Sequence, residues 1–222
     1  MTTGFANGSG DTTTTSNCLV YSIGRGMPQN PSYPDFTFEL ALLEQMGGKS
    51  SSCEIHIFDH HLASQYNHIL SNPNYHNNIH TEQQQSVTTP HTQPMLPKNI
   101  QLHPWSIEGT IDSKLGRRQY LTLKETVQRL HHTGRQVDIF KVDCEACEWH
   151  TYKEWFTSGI TMRQILVELH GSPKNEDDFF ETLEAHNYVI FHKEADTQYG
   201  GIWQEYAFLK LAPEFFSSSN YK

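Results

Sequence analysis

Short apolar, β-branched runs that stop at a glycine or an acid alternate with segments of helical period, and this alternation constrains the fold more than any other feature. CLVYSI (18–23) stops at Gly24, CEIHIFD (53–59) at Asp59, and NIQLHPW (99–105) reads as a third strand. QVDIFKVD (136–143) ends at Asp143, and RQILVELHG (163–171) ends in Glu168, Leu169, His170 and Gly171. FTFELALLEQMGG (36–48) has the helical period, with Phe38, Leu42 and Leu43 on one face. LTLKETVQRLHHTG (121–134) opens on Thr122-x-x-Glu125, a capping box, and is expected to stop at Gly134. Further helices are expected around Glu148–Phe156 and over Asn175–His186. Strands alternating with helices imply an α/β chain with a mostly parallel sheet covered on both faces. The last two strands, YVIFHK (188–193) and EYAFLKL (205–211), leave no room for a helical crossover and are expected to pair antiparallel.

The 222 residues suffice for one sizeable core, yet only 36% are hydrophobic and the mean hydropathy is −0.61. Part of the chain is therefore expected outside that core. Residues 1–17 read as a disordered polar lead-in, without the basic and apolar regions of a signal peptide. Residues 62–98, rich in Asn, Gln, His and Pro, read as a mobile surface insertion dispensable for the fold, and 212–222 as a tail. A net charge of −9 disfavours nucleic acid, whose phosphates need a basic face, and points to small molecules, proteins or glycans as partners. No stretch is long and apolar enough for a membrane span, and localisation stays open.

In an open α/β sheet, ligands bind beyond the carboxyl ends of the strands, near the point where strand order reverses. Gly24 and Gly26 after the first strand allow close approach of backbone to ligand. Asp59 ends the second strand, where a carboxylate can accept hydrogen bonds from two ribose hydroxyls. Gln29 stands where a third glycine would complete G-x-G-x-x-G, so a diphosphate cradle is disfavoured and a nucleoside ligand without phosphates fits better.

CLVYSIGRG, FTFELAL, CEIHIFDHH, NIQLHPWSI, DIFKVDCEACEW and QILVELH together resemble the successive blocks of the family-22 methyltransferase domains related to FkbM-type enzymes. The resemblance spans roughly 18–211 apart from 62–98, and its most specific part is the spacing of acids in DIFKVDCEACEW. It implies a Rossmann-like class I sheet, mostly parallel with an antiparallel C-terminal strand. It further implies S-adenosylmethionine as cofactor and methyl transfer to a hydroxyl of a small molecule or glycan. Gly24, Gly26, Glu39, Asp59 and Trp105 would then lie around the cofactor, with Asp143, Glu145 and His170 on the catalytic side. Glu39 matches the acid of the family's helix start, although its charge equally suits a helix N-terminus. Trp105 ends the third strand near the expected adenine, and packing into the core is the competing reading.

The resemblance treats Cys144 and Cys147 as incidental substitutions in an acidic strand end. Four cysteines are also too few and too scattered for a disulfide scaffold. Most of the fourteen histidines lie outside regular elements, among them His60, His61, His68, His76, His80 and His91, and read as solvated, so no metal is expected. Ala146 replaces the family's usual glycine; if that position needs a positive φ, alanine is strained there. A catalytically silent binding module and a metal- or redox-responsive protein remain alternatives.

Overall fold

The computed structural model describes residues 18–24, 36–48, 51–60, 96–109, 120–171, 173–174, 176–197 and 200–216. The lead-in, Gly26 with the proline-rich loop, and nearly all of the 62–98 segment lie outside the described residues. Strands β1 (Cys18–Ile23), β2 (Cys53–Phe58) and β3 (Ile100–His103) are joined through helix α1 (Thr37–Gln45) and the intervening chain. A two-residue pair follows, β4 (Ser106–Ile107) with β5 (Tyr120–Leu121), which the sequence reading missed. Then come α2 (Leu123–Arg129), β6 (Gln136–Val142), α3 (Glu148–Trp155), β7 (Thr161–His170), α4 (Glu176–Ala185), β8 (Tyr188–Ala195) and β9 (Trp203–Lys210).

The seven long strands form one sheet in the order β3-β2-β1-β6-β7-β9-β8. All pairs are parallel except β7–β9 and β8–β9, so the antiparallel close is as expected. Chain order runs outward from β1 in one direction and from β6 in the other, which makes the β1–β6 junction the switch point.

Side chains alternate across each strand and feed two cores. Leu19, Tyr21 and Ile23 of β1, Phe140 and Val142 of β6, and Ile165, Val167 and Leu169 of β7 pack with α2, α3 and α4. Val20, Ile55, Ile57 and Ile139 face the other way, against Leu40, Leu42 and Leu43 of α1. Covering of the second face is narrower than expected: among the described residues, α1 is the helix there, and it overlies the β1–β2–β3 half. Helix α2 starts on the expected capping box, in which Thr122 Oγ1 accepts from the Glu125 N–H at 3.1 Å and Glu125 Oε2 accepts from the Thr122 N–H at 2.9 Å. It ends earlier than Gly134, because His131 already adopts a left-handed φ of 58°.

Both expectations about the cysteines are corrected. Cys18 and Cys53 are directly opposed first residues of β1 and β2, with Cα atoms 4.4 Å apart, and form a disulfide. Cys144 and Cys147 form a second one across the turn after β6. Parallel pairing brings the first two together, and the tight turn does so for the second, neither of which is visible in spacing alone.

Three histidines are buried, two on strands and one, His132, in the connection between α2 and β6. His56 of β2 and His103 of β3 share a hydrogen bond at 2.9 Å between Nδ1 and Nε2, with rings stacked 5.1 Å apart. His132 Nδ1 lies 2.7 Å from the Tyr21 hydroxyl, and its ring packs edge-on to His56. Burial, reinforced by the neighbouring histidines and by arginine, pushes His56 down to about 3 and His103 down to about 4. These rings are thus neutral in the fold. The Arg135 guanidinium, 2.7 Å from Glu54, supplies the positive charge that the nearby carboxylate would otherwise seek from a cation.

Unfolding returns both rings to an ordinary imidazole, so the unfolded chain binds more protons below about pH 6.5. Stability is expected to be complete above that pH and to fall as pH drops toward 4, at up to about 1.4 kcal/mol per histidine per pH unit. Urea denaturation from pH 7.5 to 4.5 checks this: His56→Phe should flatten the profile, and an unchanged acid limb would contradict the assignment.

Candidate functional site at the switch-point rim

The carboxyl ends of β1, β2, β6 and β7 meet on one rim, and the backbone fixes how they meet. The Asp143 N–H donates to Ile23 O at 2.8 Å and the Gly24 N–H to Phe58 O at 3.0 Å, which extends both parallel ladders past the strands. Gly24 has φ +75°, and a Cβ there would lie 1.7 Å from Asp143 O. Glycine is required for the β6 turn to approach β1, rather than for a ligand to do so. Ser22, two residues before Gly24, donates from Oγ to Glu39 Oε1 at 2.6 Å. Glu39 is buried and anchors α1 to the end of β1.

Asp59 follows β2 on the same rim, only 5% exposed, with its N–H held by His103 O at 3.1 Å. Trp105 goes to the core instead. Its indole packs on His103 and Phe58, donates to Thr126 Oγ1 at 3.3 Å, and carries the Arg129 guanidinium 4.5 Å from its ring centre. Those contacts account for the ring without a ligand.

On the other side of the switch point the strand register builds a second group. Lys141 of β6 pairs with Leu166 of β7, and Glu168 pairs with Glu205 of β9, so Asp143, Glu168 and Glu205 follow one another across the sheet on one face. The Lys141 ammonium holds Asp143 Oδ2 at 3.1 Å. A cleft of about 390 Å³ opens on this face from Asp143 and Glu168 toward His192 of β8. Burial raises Glu168 to about 7, and the hydrogen bond and charge of Asp143 push in the same direction, as does Glu205.

His170 ends β7 beside them. Glu148, fully buried at the start of α3, accepts from the His170 backbone N–H at 2.8 Å and lies 3.1 Å from its Nδ1. Trp149 adds a hydrogen bond from its indole N–H to His170 O at 2.9 Å. Glu145 brings a carboxylate oxygen to 3.6 Å from His170 Nε2. Desolvation pulls the imidazole down, but Glu148, Glu168 and Glu145 outweigh it, and His170 stands above its ordinary value.

The turn that carries these acids has left-handed backbone at Glu145 (φ 56°) and Ala146 (φ 83°). The glycine-like conformation expected at Ala146 is therefore present, and the Cys144–Cys147 disulfide closes the turn around it.

Asp143, Glu145 and His170 are thus brought together, with Gly24 and Asp59 on the same rim and Glu39 supporting it. Trp105 is diverted to the core, and Gly26 lies outside the described residues. Glu148 and Glu168 were not singled out. The third acid of DCEACEW and the β6–β7 register were the signals that could have found them.

Residues 11–210, most of the chain, match the family described as Methyltransferase domain. The chain belongs to this methyltransferase-domain family. The match covers every strand of the sheet and both groups of rim residues, and it supports a general methyltransferase role. No curated protein matches the chain. Among the described residues no helix is long and apolar enough to cross a membrane, which says nothing of β-barrels.

Left-handed backbone at a non-glycine residue costs on the order of 1 kcal/mol or more. Ala146→Gly is therefore expected to raise the melting temperature by about 2–4 °C, whereas Gly24→Ala should lower it sharply because its Cβ collides with a carbonyl. Calorimetric melts of both variants check the pair, and a destabilising Ala146→Gly would contradict the turn's description.

Proposed function

We propose that the chain is an S-adenosylmethionine-dependent methyltransferase acting on a hydroxyl of a small molecule or glycan. One observation carries this reading: at the switch point, the Gly24 turn and the Asp59 carboxylate end adjacent parallel strands, while Asp143, Glu168 and His170 end the strands on the other side. A rim divided in this way has one half suited to a nucleoside and the other to a proton-bearing acceptor.

The residues present fit the cofactor by the chemistry of their donor groups. Asp59 offers a carboxylate to the ribose hydroxyls, and the close approach of Gly24 to Asp143 holds the end of β1 beside it. Gly26, outside the described residues, is proposed as a further cofactor contact. Glu39 acts one step removed, by holding Ser22 and so the end of β1. When bound, the cofactor supplies an electrophilic methyl on a sulfonium.

The chain's own residues do the rest. Asp143, Glu145, Glu168 and His170 stand together at the ends of β6 and β7, on the proposed acceptor side. Positioning of acceptor against methyl supplies most of the acceleration in such a transfer. A hydroxyl acceptor must also lose its proton, and Glu168, held at about 7, is matched to that task at neutral pH. His170 Nε2, oriented through Nδ1 by Glu148, is the second group able to take it. The silent-module reading rests on Ala146 and on the altered loop after Asp59; as to the first, the turn keeps its left-handed shape with alanine in place.

Two charge-assisted hydrogen bonds from ribose to Asp59 contribute roughly 1.5–3 kcal/mol each in favourable cases. Asp59→Ala is expected to weaken S-adenosylhomocysteine binding by about 2–4 kcal/mol in calorimetric titration, with the melting temperature little changed. Wild-type protein that fails to bind at millimolar S-adenosylhomocysteine would overturn the function. Equal binding by wild type and Asp59→Ala would overturn the ribose assignment alone.

A further inference from the structure

Asp143 follows β6, and Glu168 and His170 are alternate residues of β7, so the parallel register turns all three side chains to one place. One donor atom from each lies within 4.8 Å of the others. Among the described residues, two atoms of this group are buried without a hydrogen-bond partner, Asp143 Oδ1 and His170 Nε2, the latter with carboxylates of Glu145 and Glu168 no closer than 3.6 and 4.0 Å. The His170 side chain is 7% exposed, so water does not readily compensate its nitrogen.

The surroundings prepare those two atoms. Glu148 Oε1 engages His170 Nδ1 at 3.1 Å, which fixes the ring and directs Nε2 at the carboxylates. A carboxylate on the far nitrogen of a histidine is the usual support for a metal ligand. Lys141 engages Oδ2 of Asp143 at 3.1 Å and leaves Oδ1 facing inward. Around this point stand the carboxylates of Asp143, Glu145, Glu148, Glu168 and Glu205, and among the described residues the ammonium that pairs with one of them is that of Lys141, on Asp143.

We propose that Asp143, Glu168 and His170 form a binding site for a divalent cation of the Mn²⁺ type, with Glu148 as the residue that orients His170. Two hard oxygens and one imidazole suit such an ion and leave coordination positions for water or an acceptor oxygen. Ligand atoms about 2.1 Å from a common ion lie about 3 Å apart when adjacent, so the two carboxylates rotate inward on binding. The use of the ion rests on the proposed function: coordinated to the acceptor hydroxyl, it would lower that group's pKa and hold it toward the methyl donor, with the proton passing to Glu145 or to solvent because Glu168 and His170 are then engaged as ligands. Its binding does not depend on that reading.

The test is titration with Mn²⁺ alone, followed by the loss of the free-ion electron paramagnetic resonance signal, without cofactor or acceptor. One ion per chain is expected, bound at least tenfold more weakly by Glu168→Gln and by His170→Gln, and unchanged in Glu181→Gln on the exposed face of α4. In the wild type, paramagnetic broadening of the His170 imidazole and Trp203 indole resonances should locate the ion without any substitution. Absence of binding at millimolar Mn²⁺, undiminished binding in both site variants, or broadening centred elsewhere would overturn the site. S-adenosylhomocysteine titrated in parallel separates the two proposals. Cofactor binding without Mn²⁺ binding removes the cation site and leaves the function; Mn²⁺ binding without cofactor binding does the reverse.

Discussion

The contact between Gly24 and the Asp143 carbonyl is the constraint on which the rest of the rim depends. Because no Cβ intervenes, β6 continues its ladder one residue beyond β1, and Asp143 is delivered to the switch point rather than to solvent. Everything on the acceptor side follows by register. Asp143 lies beside Glu168, Glu168 beside Glu205, and His170 one alternate step further along β7. The Ser22–Glu39 hydrogen bond holds the opposite side of the same junction, so a single backbone approach positions both halves of the proposed site.

The electrostatics of that junction are unbalanced, and the fold tolerates the imbalance locally. One lysine and one histidine stand among five carboxylates. Glu168 answers by holding its proton more tightly, at about 7. The buried histidines at the other end of the sheet answer burial in the opposite way, by remaining neutral. Perturbation of both kinds is common where structure and chemistry compete, but only the first group lies at the β1–β6 switch point, where ligands of α/β sheets bind.

Much of the fold was legible in the sequence because its signals are local. Strands β1, β2, β6 and β7 are apolar runs with a terminating glycine or acid, the capping box of α2 is a four-residue pattern, and the short β8–β9 connection forces an antiparallel pair. The rest depends on pairing between distant residues. Cys18 and Cys53 meet only because β1 and β2 are in that register, and Glu168 joins Asp143 only because β6 and β7 are in theirs. His56, His103 and His132 are polar letters on a buried face, and composition alone assigns such residues to solvent. Trp105 was the reverse case: a strand-end aromatic that sterically fits the core better than a rim. Ala146 was legible in a conditional sense, since the left-handed turn was expected from the glycine it replaces and is what the backbone adopts.

The central claim is that the β1–β6 switch point is a nucleoside-binding rim, and a crystal structure grown with S-adenosylhomocysteine tests it most directly. The account predicts the ligand beyond the ends of β1 and β2, with its ribose hydroxyls on Asp59 and its sulfur turned toward Asp143. Ligand bound away from that rim, for example in the cleft over β7 and β9, or ribose hydroxyls turned away from Asp59 with the sulfur remote from Asp143, would contradict it.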